Sequence, residues 1–161
     1  MILIDKTGMP VEDQWIYWNE EQHPVDPQRT VVRLDQWEVF LSHAGARPGG
    51  LWLSGGEDNS AVYGLLDQIS LVVIEFPKTR DGRGFTLARL LRERHNFQKD
   101  IRASGSLLPD QFSVLIKCGF SGLLVSESVP LQRWQDAANT LELRQYHSNT
   151  LLDRLLRGSQ V

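Results

Sequence analysis

The sequence predicts an α/β protein with a mostly parallel β/α sheet of about four to five strands and a small irregular N-terminal hairpin region. From Leu51 onward, strand-like and helix-like runs alternate, and strands that are joined by helices pair in parallel. The run Leu71–Phe76 is apolar on both faces, as in a central parallel strand. Strand order does not follow from these patterns, so a doubly wound sheet and a partial β/α barrel both remain open.

The N-terminal part, residues 1–48, is rich in aromatic residues and irregular. Residues 2–4 and 15–18 are short apolar runs with a Lys-Thr-Gly turn between them, which predicts two strands paired as a hairpin. Residues 31–33 form a further candidate strand. Asp35 follows it, in the position of an N-terminal cap that would begin a helix with one aromatic face.

The core, residues 51–143, contains four candidate strands and the helices that join them. The strands are expected at 51–53, 71–76, 100–104 and 122–125. Helices are expected after Ser60, Thr86 and Pro109, and a further one carries Leu131 and Trp134. Gly119 is expected to end the helix after Pro109 as a C-terminal glycine cap. The C-terminal tail, residues 144–161, predicts a short amphipathic helix.

Length and composition narrow the class of protein. The chain has 161 residues, which suits one domain, and its formal net charge of −3 disfavours nucleic-acid binding, which needs a basic surface. Cys118 is the single cysteine and the histidines lack the spacing of helical metal ligands, so neither an internal disulfide nor a metal site is expected. The apolar runs are too short to span a membrane, and the N-terminus is unlike a signal peptide, which favours a cytoplasmic protein.

A basic loop that contains glycine follows the predicted strand 71–76 and precedes a helix. It contains, in order, Lys78, Arg80, Asp81, Gly82, Arg83, Gly84 and Thr86. Glycine accepts unusual backbone geometry, basic side chains attract anions, and the first N–H groups of the helix would face the loop. These features predict an anion site. A solvated turn with a helix cap is an equally good interpretation, because no complete phosphate-binding motif is present.

Parallel pairing would bring the loops after the four core strands to one edge of the sheet, where α/β proteins bind ligands. The candidates at this edge for binding an anion or a partner are Lys78, Arg80, Gly82, Arg83, Gly84, Arg102, Ser104 and Gln111. Arg83 and Arg102 are the strongest, because guanidinium groups hold oxyanions with two parallel hydrogen bonds. The alternative is that Arg102 pairs with Asp81, and Arg83 with Asp110.

No catalytic residue can be assigned, and the candidates for transferring a proton are Glu75, Asp81 and Asp110. Glu75 ends an otherwise apolar strand and could act as a base. A structural role, in which it pairs with Lys78 or accepts hydrogen bonds from backbone N–H groups, is the favoured interpretation. Cys118 lies near a helix end and is expected to be a buried, unreactive thiol.

Six segments form a recognisable set, namely Glu75–Lys78, Asp81–Thr86, Ala88–Arg92, Ile101–Gly105, Pro109–Gln111 and Cys118–Phe120. They resemble a bacterial family of unknown function whose members carry the label of oxidoreductases linked to sulfite reduction. The resemblance runs from about Leu51 to about Leu143. It implies a role in assimilatory sulfur metabolism, since the family's genes commonly lie beside the gene for the haem subunit of sulfite reductase. It implies no particular reaction or cofactor.

Three functions are consistent with these features. The first is an accessory protein of sulfite reduction that contacts a small anion or sulfite reductase through the basic loop. The second is a small oxidoreductase or other enzyme acting on an anionic sulfur compound or a phosphorylated metabolite, with a cofactor that the sequence does not identify. The third is a structural or regulatory homodimer. Helices on one face of the sheet would leave the other face to be covered by a second copy or by the N-terminal segment.

Overall fold

The computed structural model of the protein describes residues 1–21, 23, 25–79 and 81–141. It contains seven strands, which are β1 (Ile2–Ile4), β2 (Ile16–Tyr17), β3 (Thr30–Arg33), β4 (Gly50–Ser54), β5 (Leu71–Phe76), β6 (Asp100–Gly105) and β7 (Gly122–Val125). The helices are α1 (Trp37–Ala44), α2 (Arg83–Glu93), α3 (Phe112–Lys117) and α4, which is helical over residues 131–141. The predicted tail helix at 144–161 lies outside the described residues. Within the described ranges, no helix combines the length and the apolar character needed to cross a bilayer.

The strands form one curled sheet in the order β1-β7-β6-β5-β4-β3-β2. Neighbours from β2 to β7 are parallel, and β1 pairs antiparallel with β7. From β2 to β7 the order follows the chain without reversal, as in a segment of a β/α barrel, whereas a doubly wound sheet reverses its order. The sheet is mostly parallel, as predicted. It has seven strands instead of the predicted four to five, because the short N-terminal strands join it.

The two strands predicted as an N-terminal hairpin do not pair with each other. After β1 the chain turns back, and the Asp5 carboxylate accepts hydrogen bonds from Thr7 and Met9 in the turn. β1 nevertheless pairs with β7, and β2 pairs with β3 at the opposite edge of the sheet. Strands of two and three residues bury too little surface to stabilise a hairpin alone, so each one is added to a longer strand.

Apolar side chains cover both faces of the sheet. On the helix face, alternate residues such as Ile74 pack with helix residues such as Leu91. On the second face, Val73 belongs to a smaller cluster that includes Trp15 and Tyr17 from the N-terminal segment. The helices therefore cover one face, and the segment that leads into β2 covers part of the other, which is one of the two expected arrangements.

The structure confirms several predicted boundaries. β5 spans the predicted run 71–76, and β4, β6 and β7 lie within one residue of the predicted strands. Pro109 begins a 3₁₀ turn, Pro109–Gln111, that leads directly into α3. Gly119 follows α3 with a φ of 101°, which is the left-handed geometry of a C-terminal glycine cap.

Three predicted helix starts are wrong. α2 begins at Arg83, so Thr86 lies within its first turns and is not its cap. Asp35 makes no capping hydrogen bond at the 3₁₀ turn that precedes α1. In place of a helix after Ser60 there are two 3₁₀ turns, Ser60–Gly64 and Leu66–Gln68. Four apolar residues were expected to face inward there. Val62, Leu66 and Ile69 are buried and Leu65 is partly buried against the same core, because tight turns can also direct apolar side chains to the core.

Candidate functional site

The carboxyl ends of β4, β5, β6 and β7 point in the same direction, because these four strands are parallel. We call the side of the sheet at which these strands end the carboxyl edge. The loops that follow them leave from that edge, as predicted. The basic loop, defined as residues 78–84, follows β5 there and leads into α2. The predicted site residues separate into two groups, one around this loop and one on the second face of the sheet.

Arg83 is the first residue of α2, and its side chain is held at three points. Nε and Nη2 donate to the two carboxylate oxygens of Asp81 at 2.9 and 2.6 Å, and Nη1 donates to the carbonyl oxygen of Gly56 at 2.8 Å. The side chain is still 65% exposed. Three bonds leave two of the five guanidinium N–H groups for other contacts. The predicted pairing with Asp110 is wrong, and Arg83 instead joins α2 to the loop after β4.

The carboxylate of Asp81 stays ionised near neutral pH. Hydrogen bonds from the side chain and backbone of Arg83 hold the pKa of Asp81 at about 2, and the charge of Lys78 contributes in the same direction. The side chain of Lys78 is exposed and makes no hydrogen bond or ion pair to another described residue, while its backbone carbonyl oxygen accepts a hydrogen bond from the N–H of Asp81 at 3.0 Å. Arg80, the third predicted cation of the loop, lies outside the described residues.

The two glycines of the basic loop differ in their surroundings. Gly82 precedes α2 with a φ of −74°, which any residue adopts, and a Cβ there would meet no atom within 4 Å. Gly84 is buried, and a Cβ on it would lie 2.6 Å from Cζ of Phe76. Gly84 therefore allows α2 to approach β5 closely. Neither glycine has a positive φ, so the backbone geometry at these two positions does not require glycine.

An open cleft of about 320 Å³ lies between the loop after β4 and the first turns of α2, and we call it the edge cleft. Its polar lining is Glu57, Asp58, Asn59, Ser60, Arg83 and Thr86, and its apolar lining includes Tyr63, Leu87 and Leu90. Asn59 shapes the cleft, because its side-chain amide donates to the carbonyl oxygens of Ser54 and Glu57 at 2.7 and 3.1 Å. A ligand in this cleft would meet side chains of both charges.

Arg102 points to the second face, and the sheet separates it from Arg83. It is 7% exposed. Its Nη1 donates to Oδ1 of Asp13 at 2.7 Å and to the Tyr17 hydroxyl at 3.2 Å, and its Nε donates to Oδ2 of Asp100 at 2.8 Å. Burial and the hydrogen bond to Asp13 raise the pKa of Tyr17 above its ordinary value. The predicted pairing of Arg102 with Asp81 is therefore wrong. The alternation of apolar and polar residues along the predicted strand 100–104 indicated that Arg102 faces away from the apolar side of the sheet.

Glu75 and Ser104 also point to the second face. Oε2 of Glu75 accepts hydrogen bonds from Nε1 of Trp52 at 2.9 Å and from Nη1 of Arg33 at 3.2 Å. These contacts support the structural role that was favoured for Glu75, but the partners are not the predicted lysine or backbone groups. Ser104 is 1% exposed, and its Oγ lies 3.8 Å from Sδ of Met1. Arg33 was not predicted, although its position at the end of a candidate strand indicated the same edge.

Gln111 and Asp110 belong to the 3₁₀ turn before α3. Nε2 of Gln111 donates to the carbonyl oxygen of Thr79 at 2.7 Å, and Oε1 accepts from the backbone N–H of Leu108 at 3.0 Å. Gln111 therefore joins this turn to the basic loop. Asp110 is exposed and lines a separate cleft of about 280 Å³ between the turn and α4.

Cys118 is buried, and burial raises the pKa of its thiol above the ordinary value. A buried thiol with a raised pKa is a poor nucleophile, which agrees with the prediction. In the part of the chain that the structure describes, no three side chains of histidine, cysteine, aspartate or glutamate are arranged to hold a metal ion.

Residues 50–152 match the sequence model of a family described as "Bacterial protein of unknown function (DUF934)". The matched range contains β4–β7, the basic loop and the edge cleft, whereas β1, β2, β3 and α1 precede it. No curated protein matches the chain. The match confirms the resemblance to a bacterial family of unknown function, and the family description names no reaction and no partner.

Proposed function

The chain belongs to this family of bacterial proteins of unknown function, and from that starting point we propose that it is an accessory protein of assimilatory sulfite reduction. It contacts sulfite reductase, or another acidic partner, through a basic surface formed by Lys78 and Arg83. The observation that carries the proposal is the guanidinium of Arg83, which is exposed at the carboxyl edge and fixed by Asp81 and Gly56. The choice of sulfite reductase rests on the resemblance described for the sequence.

A guanidinium that is already fixed loses little conformational entropy when it meets a partner. Two of the N–H groups of Arg83 can still donate to a carboxylate or an oxyanion, and such charge-assisted bonds are strong. Asp81 offsets the charge of Arg83, so the surface around it is only moderately basic. That balance favours a protein with a broad acidic surface over tight binding of one small anion, because a single anion would also meet the Asp81 carboxylate.

Direct binding tests this proposal. Purified sulfite reductase holoenzyme from the same bacterium is immobilised, and binding of the full chain is measured by interferometry at low and high salt. Lys78→Glu should weaken binding by about tenfold or more, since reversing a charge at an interface replaces attraction by repulsion. Lys117→Glu is the matched control, because Lys117 is an exposed lysine at the end of α3, away from the basic loop.

The expected pattern is binding that weakens with salt, is lost in Lys78→Glu and is unchanged in Lys117→Glu. If wild type and both variants bind equally, Lys78 has no part in the contact. If the wild type does not bind the holoenzyme at any salt concentration, the proposal of an accessory protein for sulfite reductase fails.

The alternative is a small oxidoreductase or other enzyme that acts on an anionic sulfur compound or a phosphorylated metabolite. The observation that favours it is the edge cleft, whose volume of about 320 Å³ is at the small end of the range for ligand pockets. Arg83 and Thr86 would hold the anion there. Of the three candidate carboxylates, Asp81 is the one beside this cleft, and with a pKa of about 2 it is a weak base at neutral pH.

A thermal-shift series separates the alternative from the main proposal. Sulfite, sulfate, phosphate, NADPH and flavins are tested against the wild type and against Arg83→Lys, which keeps the charge but loses the bidentate geometry. A ligand that raises the melting temperature of the wild type only would support a small-molecule site in the edge cleft. If none of these compounds raises the melting temperature, the result counts against the alternative that the protein is an enzyme.

A further inference from the structure

Ser54, Glu75 and Ser104 form a polar row across the three central strands. Glu75 on β5 is in register with Ser54 on β4 and with Ser104 on β6. Each of the three is the last or next-to-last residue of its strand. They share the second face with Val73, since side chains alternate along a strand. In parallel β/α sheets, side chains at the carboxyl ends of the strands are the ones that meet ligands.

The second face changes character along β5. Leu71 and Val73 are fully buried by their neighbours, which include Trp15 and Tyr17 of the N-terminal segment. Glu75, the next residue on the same face, has a side chain that is 30% exposed. The N-terminal segment therefore covers the apolar half of this face and leaves Glu75 at the carboxyl end partly accessible, whereas Ser104 beside it is buried.

Glu75 has one carboxylate oxygen in use and one available. Oε2 accepts from both Trp52 and Arg33, while Oε1 has no hydrogen-bond partner among the described residues. Arg33 donates to Glu75 through Nη1, and its Nε lies 3.8 Å from Oδ1 of Asp35. Its side chain is 43% exposed. An accessible acceptor and an accessible cationic donor thus lie side by side.

Trp52 forms an apolar wall next to this charged pair. Its ring meets the ring of Tyr17 edge to face, with centroids 5.7 Å apart, and its Nε1 is bonded to Glu75. These two contacts hold the indole in one orientation. The ring is partly exposed, so a small side chain of a ligand could pack against it.

We propose that this second-face site binds a small α-amino acid. The ammonium group would donate to Oε1 of Glu75, the carboxylate would accept from Arg33, and the side chain would lie against Trp52. A simple anion would be repelled by Glu75 and a simple cation by Arg33, whereas a zwitterion complements both charges. The site lies on the opposite face of the sheet from the edge cleft and does not depend on the proposed function.

The indole N–H signals of the tryptophans provide a direct test by ¹H–¹⁵N NMR. The ¹⁵N-labelled full chain is titrated with glycine, L-alanine and L-serine to about 10 mM, which detects millimolar dissociation constants. The Nε1–H signal of Trp52, assigned with Trp52→Phe, should move with the ligand concentration because this group is bonded to Glu75. The Nε1–H signal of Trp134 should not move, since that side chain is fully buried in the other cluster.

Variants and fragments of the ligand complete the test. Glu75→Gln and Arg33→Gln should each weaken glycine binding by about tenfold or more, because each removes one charge-assisted contact. Acetate and methylammonium, which each carry one of the two charges, should bind more weakly than glycine. Lys78→Glu should bind glycine like the wild type. A negative result in this test would therefore leave the sulfite reductase proposal standing, and a negative result there would leave this one standing.

Three outcomes would overturn the proposal. One is a Trp52 signal that does not move with any of the amino acids. Another is acetate that binds as tightly as glycine, which would indicate a simple anion site at Arg33. The third is unchanged glycine binding in Glu75→Gln. If Glu75→Gln does not fold, Arg33→Gln and the two ligand fragments decide the question, because Arg33 is on the surface and makes its contacts at the edge of the site.

Discussion

Asp13 and Arg102 are 89 residues apart in the sequence, yet Oδ1 of Asp13 accepts a hydrogen bond of 2.7 Å from Nη1 of Arg102. The pair joins the segment before β2 to the middle of β6. Tyr17 and Asp100 complete the network around the guanidinium. β2 pairs with β3 over two residues only, so this network, together with the apolar packing of Trp15 and Tyr17, holds the N-terminal segment against the second face.

Replacing Asp13 should destabilise the fold. In Asp13→Ala the buried guanidinium of Arg102 keeps Asp100 but loses its other carboxylate, and the Tyr17 hydroxyl loses its acceptor. Hydrogen bonds to charged groups are worth about 1.5–3 kcal/mol, so we expect the free energy of unfolding to fall by about 2 kcal/mol. Urea unfolding measures this. The control is Asp35→Ala, whose 3.8 Å exposed contact with Arg33 should be worth less than about 0.5 kcal/mol. Equal effects of the two changes would contradict the role given to Asp13.

The same pair predicts how stability depends on pH. Burial alone would raise the pKa of Asp13, but hydrogen bonds from Tyr17, Arg102 and Trp15 outweigh it and lower the pKa below the ordinary 3.8. Because the folded-state pKa is below the unfolded-state value, the stabilisation is fully present above about pH 4 and is lost as pH falls through the folded-state pKa. The difference in unfolding free energy between wild type and Asp13→Ala should therefore be constant from about pH 7 to 5 and shrink below about pH 4. A difference that grows towards acid pH would contradict this sign.

Alanine should destabilise the protein at Gly84 and have almost no effect at Gly82, the other glycine of the basic loop. In Gly84→Ala the new Cβ would lie 2.6 Å from the buried Phe76 ring. Overpacking costs about 1–3 kcal/mol and the better helix propensity of alanine returns up to about 1, so we expect a net loss of about 1–2 kcal/mol. Gly82→Ala, with a φ of −74° and open space around it, should change stability by less than about 0.5 kcal/mol. Thermal unfolding of both variants is the measurement. If Gly84→Ala is as stable as the wild type, the packing of α2 does not depend on this close approach to Phe76.

Cys118 should be unreactive in the folded protein. Burial raises the pKa of its thiol and also blocks reagents. We expect 5,5′-dithiobis(2-nitrobenzoate) to modify the native protein about a hundredfold or more slowly than the urea-unfolded chain, with one thiol titrated after unfolding. A native rate close to that of a free thiol would mean that the helix end after α3 opens readily.

Local patterns predicted the strands of the core better than the partners of charged side chains. The strand Leu71–Phe76 follows from its own residues, because β-branched apolar runs favour strands. The cap at Gly119 follows from the residue type, because glycine is the residue that readily adopts a positive φ at a helix end. The ion pairs were wrong in each case that was specified. Arg102 meets Asp13 and Asp100, and Arg83 meets Asp81, since pairing depends on which face of the sheet each side chain occupies.

The sequence by itself determined an α/β chain with parallel core strands, an edge at which their loops meet and a basic loop at that edge, because these follow from periodicity and from the long connections that parallel pairing requires. The tertiary structure alone decided that β1 and β2 lie at opposite edges, that Glu75 and Arg102 share a face with the N-terminal segment, and that Arg83 lies on the other side of the sheet. The physical reason is that short strands and charged side chains gain most of their stability from partners distant in the sequence, and no local pattern specifies those partners.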